Sequence, residues 1–389
     1  MIKLSAGKKA GAVFVLCALT AIAAQAQTFT SLFSFNGHDG FEPAFGSLIQ
    51  GPDGAFYGTT LEGGANDVGT AFRMTSEGTL KTVNLTLADG VGPQAGLLLA
   101  TNGHFYGTAQ DGGANTNGCF ERSCGTVFEI TPTGTLTVLY SFCAQTGCTD
   151  GYYPFGALIQ AANGDFYGTT SYGGSGRYIG NPGNGGTVFK ITASGELTTL
   201  YSFCSQSKCD DGSEPYAALV QGTDGNFYGT TASGGHRCAQ DTDCGTVFRI
   251  TPRGVLTTLH RFQGADGSGP FAGLIQATDG DLYGTTFDGG DLTCDPPYGC
   301  GTIFKINPAG VLTTLHSFEA TDGIGPAAPL VQATDGNFYG TTTGTKNTGS
   351  FSNGTVFYDL PPRCYDNPAQ LRWYRWCLPI RWAPSSHGG

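Results

Sequence analysis

The sequence predicts an all-β protein, a six-bladed β-propeller with four antiparallel strands per blade and a ring closed by the N-terminal strand. Three observations predict it: one short motif occurs six times, each copy lies in a unit of four strand-like segments, and the two chain ends are complementary. The motif is Asp or Asn, Gly, a variable residue, an aromatic pair and Gly-Thr, as in residues 163–170. Its first apolar position recurs every 49 to 61 residues, at Phe56, Phe105, Phe166, Phe227, Leu282 and Phe338. Such a period is typical of repeat architectures.

The third repeat shows how one unit is built. Asn163-Gly164 predicts a two-residue type I′ turn, which matches the twist of the flanking strands. A long variable loop opens at Gly173-Gly174, and a second tight turn follows at 192–195. The predicted strands are 157–160, 166–170, 186–191 and 196–203. Four short strands rich in β-branched and aromatic residues are typical of a propeller blade.

The chain ends favour a closed ring. Residues 28–35 match the fourth strand of a repeat. The last repeat has strand-like segments at 329–332, 338–342 and 354–360 but no fourth. Pairing the N-terminal strand with the last sheet would protect both terminal edges. A linear solenoid, which would require distinct caps, and a sandwich are the alternatives.

The repeated unit, written ALIQ, Asp-Gly, FYGTT, Gly-Gly and GTVFKI, resembles the GloVer-type tandem repeats of secreted bacterial proteins. The resemblance covers nearly all of residues 28–360. The unit is more distantly similar to kelch-type propellers in blade length and glycine use. The resemblance implies an exported β-repeat protein and supplies no activity or catalytic residues.

Three regions are predicted: a signal peptide at 1–26, the propeller at 27–360 and a basic tail at 361–389. The first region has an early positive charge, an apolar core at 10–24 and the cleavage-type sequence Ala24-Gln25-Ala26. No later apolar run is long enough to cross a membrane. We therefore expect export to the periplasm, the cell surface or the extracellular space.

The tail differs from the repeats because it contains all the tryptophans, Trp373, Trp376 and Trp382, among arginines. Three interpretations remain open: it is poorly ordered, it docks on the acidic ring, or it reflects an altered reading frame.

The cysteines predict disulfides. Of 13 cysteines, Cys17 lies in the signal peptide and the others form neighbouring pairs. Close pairing after an export signal is typical of disulfides. Zinc is the alternative, but it favours closer spacing, and we assign these pairs to different repeats. We expect no metal and no cofactor. The predicted pairs are Cys119 with Cys124, Cys143 with Cys148, Cys204 with Cys209, Cys238 with Cys244, Cys294 with Cys300, and Cys364 with Cys377.

The formal net charge of −11 makes nucleic acid a poor partner, because an acidic surface repels phosphate backbones. The basic signal peptide and tail leave the repeats more acidic than the whole chain.

The strand 2–3 and strand 4–1 connections are predicted to share one rim, which we call the loop face. These connections hold all length variation between repeats, and rigidly supported loops are common binding sites. Residues that differ between repeats are the candidate ligand contacts, with ordinary loop packing as the alternative. They are Glu42, Tyr152, Tyr153, Tyr172, Arg177, Tyr178, Glu214, Tyr216, His236, Arg237, Asp291, Asp295 and Tyr298.

Each strand 4–1 connection ends in Asp-Gly-x-x-Pro. Its six aspartates could ring the channel and bind a cation. Strict repetition favours the alternative, in which each aspartate accepts hydrogen bonds from its own turn. The aspartates are Asp39, Asp89, Asp150, Asp211, Asp266 and Asp322.

The sequence contains no G-x-S-x-G, H-E-x-x-H or phosphate-loop motif, so we assign no catalytic residue. The leading hypothesis is a monomeric, non-catalytic exported propeller that binds an extracellular glycan or protein through its loop face. One alternative is a carbohydrate-active hydrolase or lyase that uses loop-face carboxylates. Another is a structural cell-envelope protein.

Overall fold

The computed structural model describes residues 30–43, 46–116, 119, 123–176, 185–235, 244–347, 350–352 and 354–359. Within them the chain forms a six-bladed all-β propeller with antiparallel blades. The helical elements of this part are two 3₁₀ turns, Thr146–Cys148 and Ser207–Cys209. None of its helices is long and apolar enough to cross a membrane.

Each of the first five sheets has four strands in chain order, from a two-residue inner strand to a longer outer one. Blades one and two contain β1 (Ile49–Gln50), β2 (Phe56–Thr60), β3 (Thr70–Met74), β4 (Leu80–Asn84), β5 (Leu98–Leu99), β6 (Phe105–Ala109), β7 (Thr126–Ile130) and β8 (Leu136–Ser141). Blades three and four contain β9 (Ile159–Gln160), β10 (Phe166–Thr170), β11 (Thr187–Ile191), β12 (Leu197–Ser202), β13 (Val220–Gln221), β14 (Phe227–Thr231), β15 (Thr246–Ile250) and β16 (Leu256–Arg261).

Blade five contains β17 (Ile275–Gln276), β18 (Leu282–Thr286), β19 (Thr302–Ile306) and β20 (Leu312–Ser317). The sixth sheet contains β21 (Val331–Gln332), β22 (Phe338–Thr341) and β25 (Val356–Asp359). Between its last two strands lies a hairpin of β23 (Thr345–Asn347) and β24 (Ser350–Ser352). The strands predicted within the third and sixth repeats are confirmed to within two residues at each end, whereas the strand predicted at 28–35 is not formed by the described residues of that segment.

The turn between strands one and two is not the predicted type I′. In blade three the Gly164 amide donates to the Ala161 carbonyl at 2.9 Å, so the turn spans four residues. Gly164 has φ 88°, whereas Asn163 is not left-handed. Asn163 instead accepts the Asp165 amide at 3.1 Å through its own side chain. This local bond favours a type I turn followed by a left-handed glycine.

The FYGTT motif joins neighbouring blades. The tyrosine ring of one blade packs on the phenylalanine of the next, as in Tyr167 and Phe227 at 4.1 Å. The same contact joins Tyr57 to Phe105 at 3.9 Å and Tyr283 to Phe338 at 4.1 Å. The first threonine then donates to the backbone of the next blade. The repeat is therefore an interlock between blades.

The motif's glycine makes room for a ring from strand three. A Cβ on Gly229 would lie 2.6 Å from Phe248 Cζ and 2.9 Å from Leu219 Cδ2. Phe248 is fully buried and contacts Phe203 of the preceding blade at 5.1 Å. The close approach of backbone and ring thus explains why the position is glycine.

The N-terminal segment lies where a preceding fourth strand would lie against blade one. Phe35 contacts Phe72 edge-on at 5.2 Å, the distance found between Phe142 and Phe189. Residues 30–36 nevertheless form no strand, and the sixth sheet has three strands. Val356 on the edge strand β25 is 69% exposed.

The predicted ladder between the N-terminal segment and β25 is therefore absent from the described residues. The segment is held from one side by ring packing on blade one, and this packing does not require the backbone bonds of a strand.

Replacing Gly229 by alanine should lower the free energy of unfolding by about 1–3 kcal/mol, because the new methyl group overpacks the Phe248 ring. Urea denaturation with intact disulfides measures the change. Gly273→Ala is the control: the nearest atom to its Cβ is at 3.5 Å, so a loss under about 0.5 kcal/mol is expected. Equal losses in both variants would contradict the packing argument.

Candidate functional site

The two variable connections do share one rim. In every blade the residue after Asp-Gly forms a backbone bridge with a residue that follows strand two, as between Tyr152 and Tyr172. Ser213 and Ser233, and Ser268 and Asp288, form the same bridge in the next two blades. The loop face is therefore a ring of six equivalent, backbone-fixed positions.

The repeated aspartates cap their own turns. In each of the six connections the carboxylate accepts a backbone amide at 2.7–3.0 Å, from Asn36, Thr86, Ala144, Ser205, Gln263 or Glu319. In four blades it also accepts a Tyr hydroxyl or pairs with a His ring from strand four. His260 and His316 are two of these partners, at 2.8 and 2.9 Å. These contacts support turn capping and leave no free ring of carboxylates.

The residue before the proline is left-handed in every Asp-Gly-x-x-Pro connection. Three blades have glycine there, at Gly92, Gly269 and Gly325, with φ 61–62°. The others have Glu42 at φ 54°, Tyr153 at 57° and Glu214 at 58°. A side chain in this conformation is strained, and such strain is concentrated at functional sites. Three of the candidate residues therefore occupy positions that the backbone suits to glycine.

Two of these residues lie at an arc of aromatic rings across the loop face: Tyr153 is part of the arc, and Glu214 is beside it. Phe155 is 5.0 Å from Tyr216, and Tyr216 is 5.6 Å from Phe271. Tyr172 and Tyr216 share a hydroxyl hydrogen bond at 3.1 Å. We call this set the aromatic arc, which consists of Tyr153, Phe155, Tyr172, Tyr216, Phe271 and Phe287.

Glu214 supplies the negative charge of the arc. Burial is the main reason that the pKa values of Tyr172 and Tyr216 are raised, and the Glu214 charge contributes at both hydroxyls. Both tyrosines therefore stay neutral hydroxyl groups. Ser233 donates to Glu214 at 3.3 Å, which helps to orient the carboxylate.

The structure brings together four predicted residues: Tyr153, Tyr172, Glu214 and Tyr216. Glu42 lies apart in blade one and is exposed. Tyr152 is only 4% exposed and packs beneath Tyr172, which favours a packing role. Arg177, Tyr178, His236 and Arg237 lie outside the described residues.

Asp291, Asp295 and Tyr298 share one loop of blade five. Asp291 accepts the amide and hydroxyl of Thr293, at 2.9 and 2.7 Å, and Tyr298 is 46% exposed. Asp295 acts on Asp288, the residue next to Phe287. Burial and the Asp295 charge raise the pKa of Asp288 to about 6. The pKa of this carboxyl group is therefore close to neutral pH, and the group lies at one end of the aromatic arc.

Sequence reasoning missed Phe155, Phe271 and Phe287. A usable signal was present: three consecutive connections have an aromatic residue directly after the proline, at Phe155, Tyr216 and Phe271. Phe155 and Tyr216 are half-buried, whereas Phe271 is 40% exposed.

Four predicted disulfides are confirmed: Cys119–Cys124, Cys143–Cys148, Cys204–Cys209 and Cys294–Cys300. Cys244 is also disulfide-bonded, and its predicted partner Cys238 lies outside the described residues. All these described bonds are in connections of the loop face, so they stiffen the rim on which the aromatic arc lies.

The sixth predicted disulfide joins two cysteines of the basic tail and is not among the bonds of the structure. Both Cys364 and Cys377 lie outside the described residues, which end at Asp359. The pairing of Cys364 with Cys377 therefore stays a prediction from their spacing alone, unlike the four pairs of the loop face.

A ring of antiparallel blades with its sequence variation confined to one rim defines a repeat-built β-propeller. The chain belongs to the Gloeobacter/Verrucomicrobia repeat family, whose model matches residues 6–238 and 179–363. Among proteins of curated function, none is detectably similar in sequence.

Solved structures share the fold at low identity. A streptogramin B lyase structure is 16% identical with a TM-score of 0.50, covering 79% of this chain and 78% of that chain. A luciferin-regenerating enzyme is 12% identical with a TM-score of 0.46, covering 82% and 92%. A protein from Lactobacillus plantarum is 16% identical with a TM-score of 0.46, covering 80% and 79%. At 16% identity the likeness to the streptogramin B lyase structure shows the propeller fold alone.

Glu214→Gly should not destabilise the protein and should raise the free energy of unfolding by up to about 1 kcal/mol, because it relieves a left-handed side chain. Thermal unfolding measures the change. The control is the adjacent Ser213→Gly, whose residue is not left-handed and should lose about 0.5–1 kcal/mol. Destabilisation by Glu214→Gly as large as that of the control would show that the carboxylate has a structural role.

Asp288→Asn should be more stable than the parent protein at pH 7. Because the pKa of folded Asp288, about 6, lies above its unfolded value near 3.8, the native state binds more protons between these values. Stability is therefore lost as pH rises through that window. The variant's advantage should grow from near zero at pH 4 to about 1–2 kcal/mol at pH 7, after discounting for partial exposure.

Denaturation at a series of pH values tests this dependence. Asp291→Asn is the matched control in the same loop, because hydrogen bonds from Thr293 lower the pKa of Asp291. It should show no such gain. An Asp288→Asn advantage that does not change with pH would contradict the assignment.

Proposed function

We propose that this chain is an exported, non-catalytic propeller that binds an extracellular glycan on its loop face. The observation that supports this best is the aromatic arc with Glu214 beside it. It runs over three consecutive connections, and two of its neighbouring positions keep strained side chains where other blades have glycine. We also propose the domain limits that the sequence predicts: cleavage after Ala26, the propeller at 27–360 and the tail at 361–389.

A sugar fits this surface for two reasons. The apolar face of a pyranose ring stacks on an aromatic ring, and Phe271 at 40% exposure presents such a face. The sugar hydroxyls need acceptors and donors at the edge of that stack. Glu214 offers a carboxylate, and Tyr216 and Tyr172 offer neutral hydroxyls. Few convergent polar groups on an apolar platform are typical of small-ligand sites.

Rigidity is the second line of support. The arc lies on connections fixed by backbone bridges and by disulfides, including Cys204–Cys209 two positions before the Asp211 cap. A platform that is already ordered loses little conformational entropy on binding. The rings come from three consecutive connections, and this extent favours a chain of sugars over a single one.

A carbohydrate-active hydrolase or lyase is the second candidate, favoured by one observation. Asp288, with its pKa near 6, is influenced by Asp295 and follows Phe287 of the arc. A protonated carboxyl beside an ionised one is a common arrangement for acid–base catalysis. The separation of their oxygens decides whether they act together.

The binding proposal predicts that a glycan array gives at least one oligosaccharide ligand. By calorimetry, Phe271→Ser and Glu214→Gly should each weaken its binding by about tenfold or more, a loss of about 1.4 kcal/mol. Both residues are chosen because neither is needed in the buried core. Glu42→Gly makes the same backbone change outside the arc and should leave affinity unchanged. An empty array, or equal effects of Glu214→Gly and Glu42→Gly, would overturn the proposal.

Turnover separates the two candidates. If the non-catalytic proposal holds, the protein leaves the bound oligosaccharide intact on prolonged incubation. Cleavage that is lost in Asp288→Asn, while binding is retained, would favour the enzyme instead.

A further inference from the structure

Blade two is distinctive among the described connections because two disulfides meet there. Cys119–Cys124 lies in its strand 2–3 loop, and Cys143–Cys148 lies in the connection that leaves its fourth strand. All four Sγ atoms lie within 4.8 Å of one another. The Sγ atoms of Cys119 and Cys143, which belong to different disulfides, are 3.3 Å apart. Sequence reasoning had placed these pairs in separate repeats and therefore expected no metal.

The cluster is sheltered but accessible. Cys124 is fully buried and Cys148 is 6% exposed, in the same core as Tyr152 and Phe142. Cys119 and Cys143 are only partly buried, so a reductant or an ion can approach from the loop face. Burial on one side and access on the other are typical of sites that exchange a ligand.

The four sulfurs lie close enough together to reach a tetrahedral arrangement after reduction. Zinc–sulfur bonds of about 2.3 Å place the four sulfurs of a Cys₄ site about 3.8 Å apart. Opening two disulfides lengthens the two bonded separations from about 2 Å toward that value. The remaining separations, which do not exceed 4.8 Å, need to shrink by about 1 Å at most. Only side-chain rotations and small loop shifts are required.

We propose that these four cysteines form a redox-dependent metal site, two disulfides when oxidised and a tetrathiolate site for Zn²⁺ when reduced. Each disulfide takes two electrons and two protons from a dithiol, which itself becomes a disulfide. The two reductions yield four thiols. Zn²⁺ then replaces the four thiol protons, which pass to solvent, and four zinc–sulfur bonds form.

The backbone around the cluster is suited to both states. The Tyr153 amide donates to the Cys124 carbonyl at 3.0 Å, and the Gly151 and Gly174 amides donate to the Cys148 carbonyl at 2.9 Å each. These bonds fix the cysteine positions without using their sulfurs. They also connect the cluster to Tyr153, so either state holds one end of the aromatic arc. The metal site itself does not depend on glycan binding.

Blade three offers a matched control. Cys204–Cys209 occupies the equivalent connection with the same left-handed backbone, φ 58° and 53° against 57° and 51° for Cys143 and Cys148. No second disulfide of the described residues lies beside it, because Cys119 and Cys124 belong to blade two. The two disulfides differ mainly in that Cys143–Cys148 has a second disulfide beside it and Cys204–Cys209, among the described residues, does not.

The test uses Co²⁺ as a spectroscopic probe for Zn²⁺ in the full chain. After reduction by a phosphine without oxygen, the protein should bind about one Co²⁺ per chain and show thiolate-to-metal charge transfer and the spectrum of tetrahedral Co²⁺. Zn²⁺ should displace it. The Cys143→Ser/Cys148→Ser variant should bind at least about 100-fold more weakly. Cys204→Ser/Cys209→Ser should change the affinity less than about twofold.

Three results of the binding measurements would overturn the proposal: tight binding by the oxidised protein, equal losses in the two double variants, or no tetrahedral spectrum in the reduced protein. Near-ultraviolet circular dichroism of the buried tyrosines reports whether the reduced chain keeps its fold. Zn²⁺ should raise the melting temperature of the reduced parent protein but not that of Cys143→Ser/Cys148→Ser, because the variant lacks two of the four ligands of the folded site. A reduced chain that stays unfolded with Zn²⁺ would equally contradict the site.

Discussion

The structure depends on the stacking of one blade's strand-two tyrosine on the next blade's strand-two phenylalanine. Tyr57 and Phe105, Tyr106 and Phe166, and Tyr167 and Phe227 stack at 3.9–4.1 Å. The following glycine lets a strand-three ring approach the backbone, and that ring makes a second contact with the neighbouring blade. A buried aromatic pair contributes more to stability than the area that it buries. The rim loops vary outside the few residues, such as Cys124 and Tyr152, that pack in the same core as Tyr106 and Phe166.

The contrast between the packed strands and the variable loops explains which features repeat from blade to blade and which do not. The aspartates of the connections repeat because each caps its own turn, and in every blade the carboxylate accepts a backbone amide. The position before the proline does not repeat, although its backbone does. Glu42, Tyr153 and Glu214 accept a strained conformation that glycine adopts freely. A residue kept against local preference is a better guide to function than one that repeats.

The ring ends show the limit of sequence complementarity. Residues 28–35 share the pattern of a fourth strand, and Phe35 does pack on blade one as such a strand would. The sixth sheet still has three strands, with Val356 exposed at its edge. Side-chain packing and backbone pairing are separate interactions, and a sequence pattern predicts the first more directly than the second. The shared fold with the streptogramin B lyase structure does not decide the activity, because function lies in the loops of such folds.

By itself the sequence determined the number of blades, the strand limits to within two residues, the shared rim and the close-paired disulfides of that rim. These follow from local alternation, turn residues and period, which depend on neighbours along the chain. Tertiary structure alone decided that Phe155, Tyr216 and Phe271 form one arc, that Asp295 acts on Asp288, and that the blade-two disulfides meet. The arc and the contact between disulfides join residues from different connections, whereas Asp288 and Asp295 lie in one loop whose folded path sets their separation. Their spacing along the chain does not predict the distance between them, because the packing of the blades sets how far apart the connections lie.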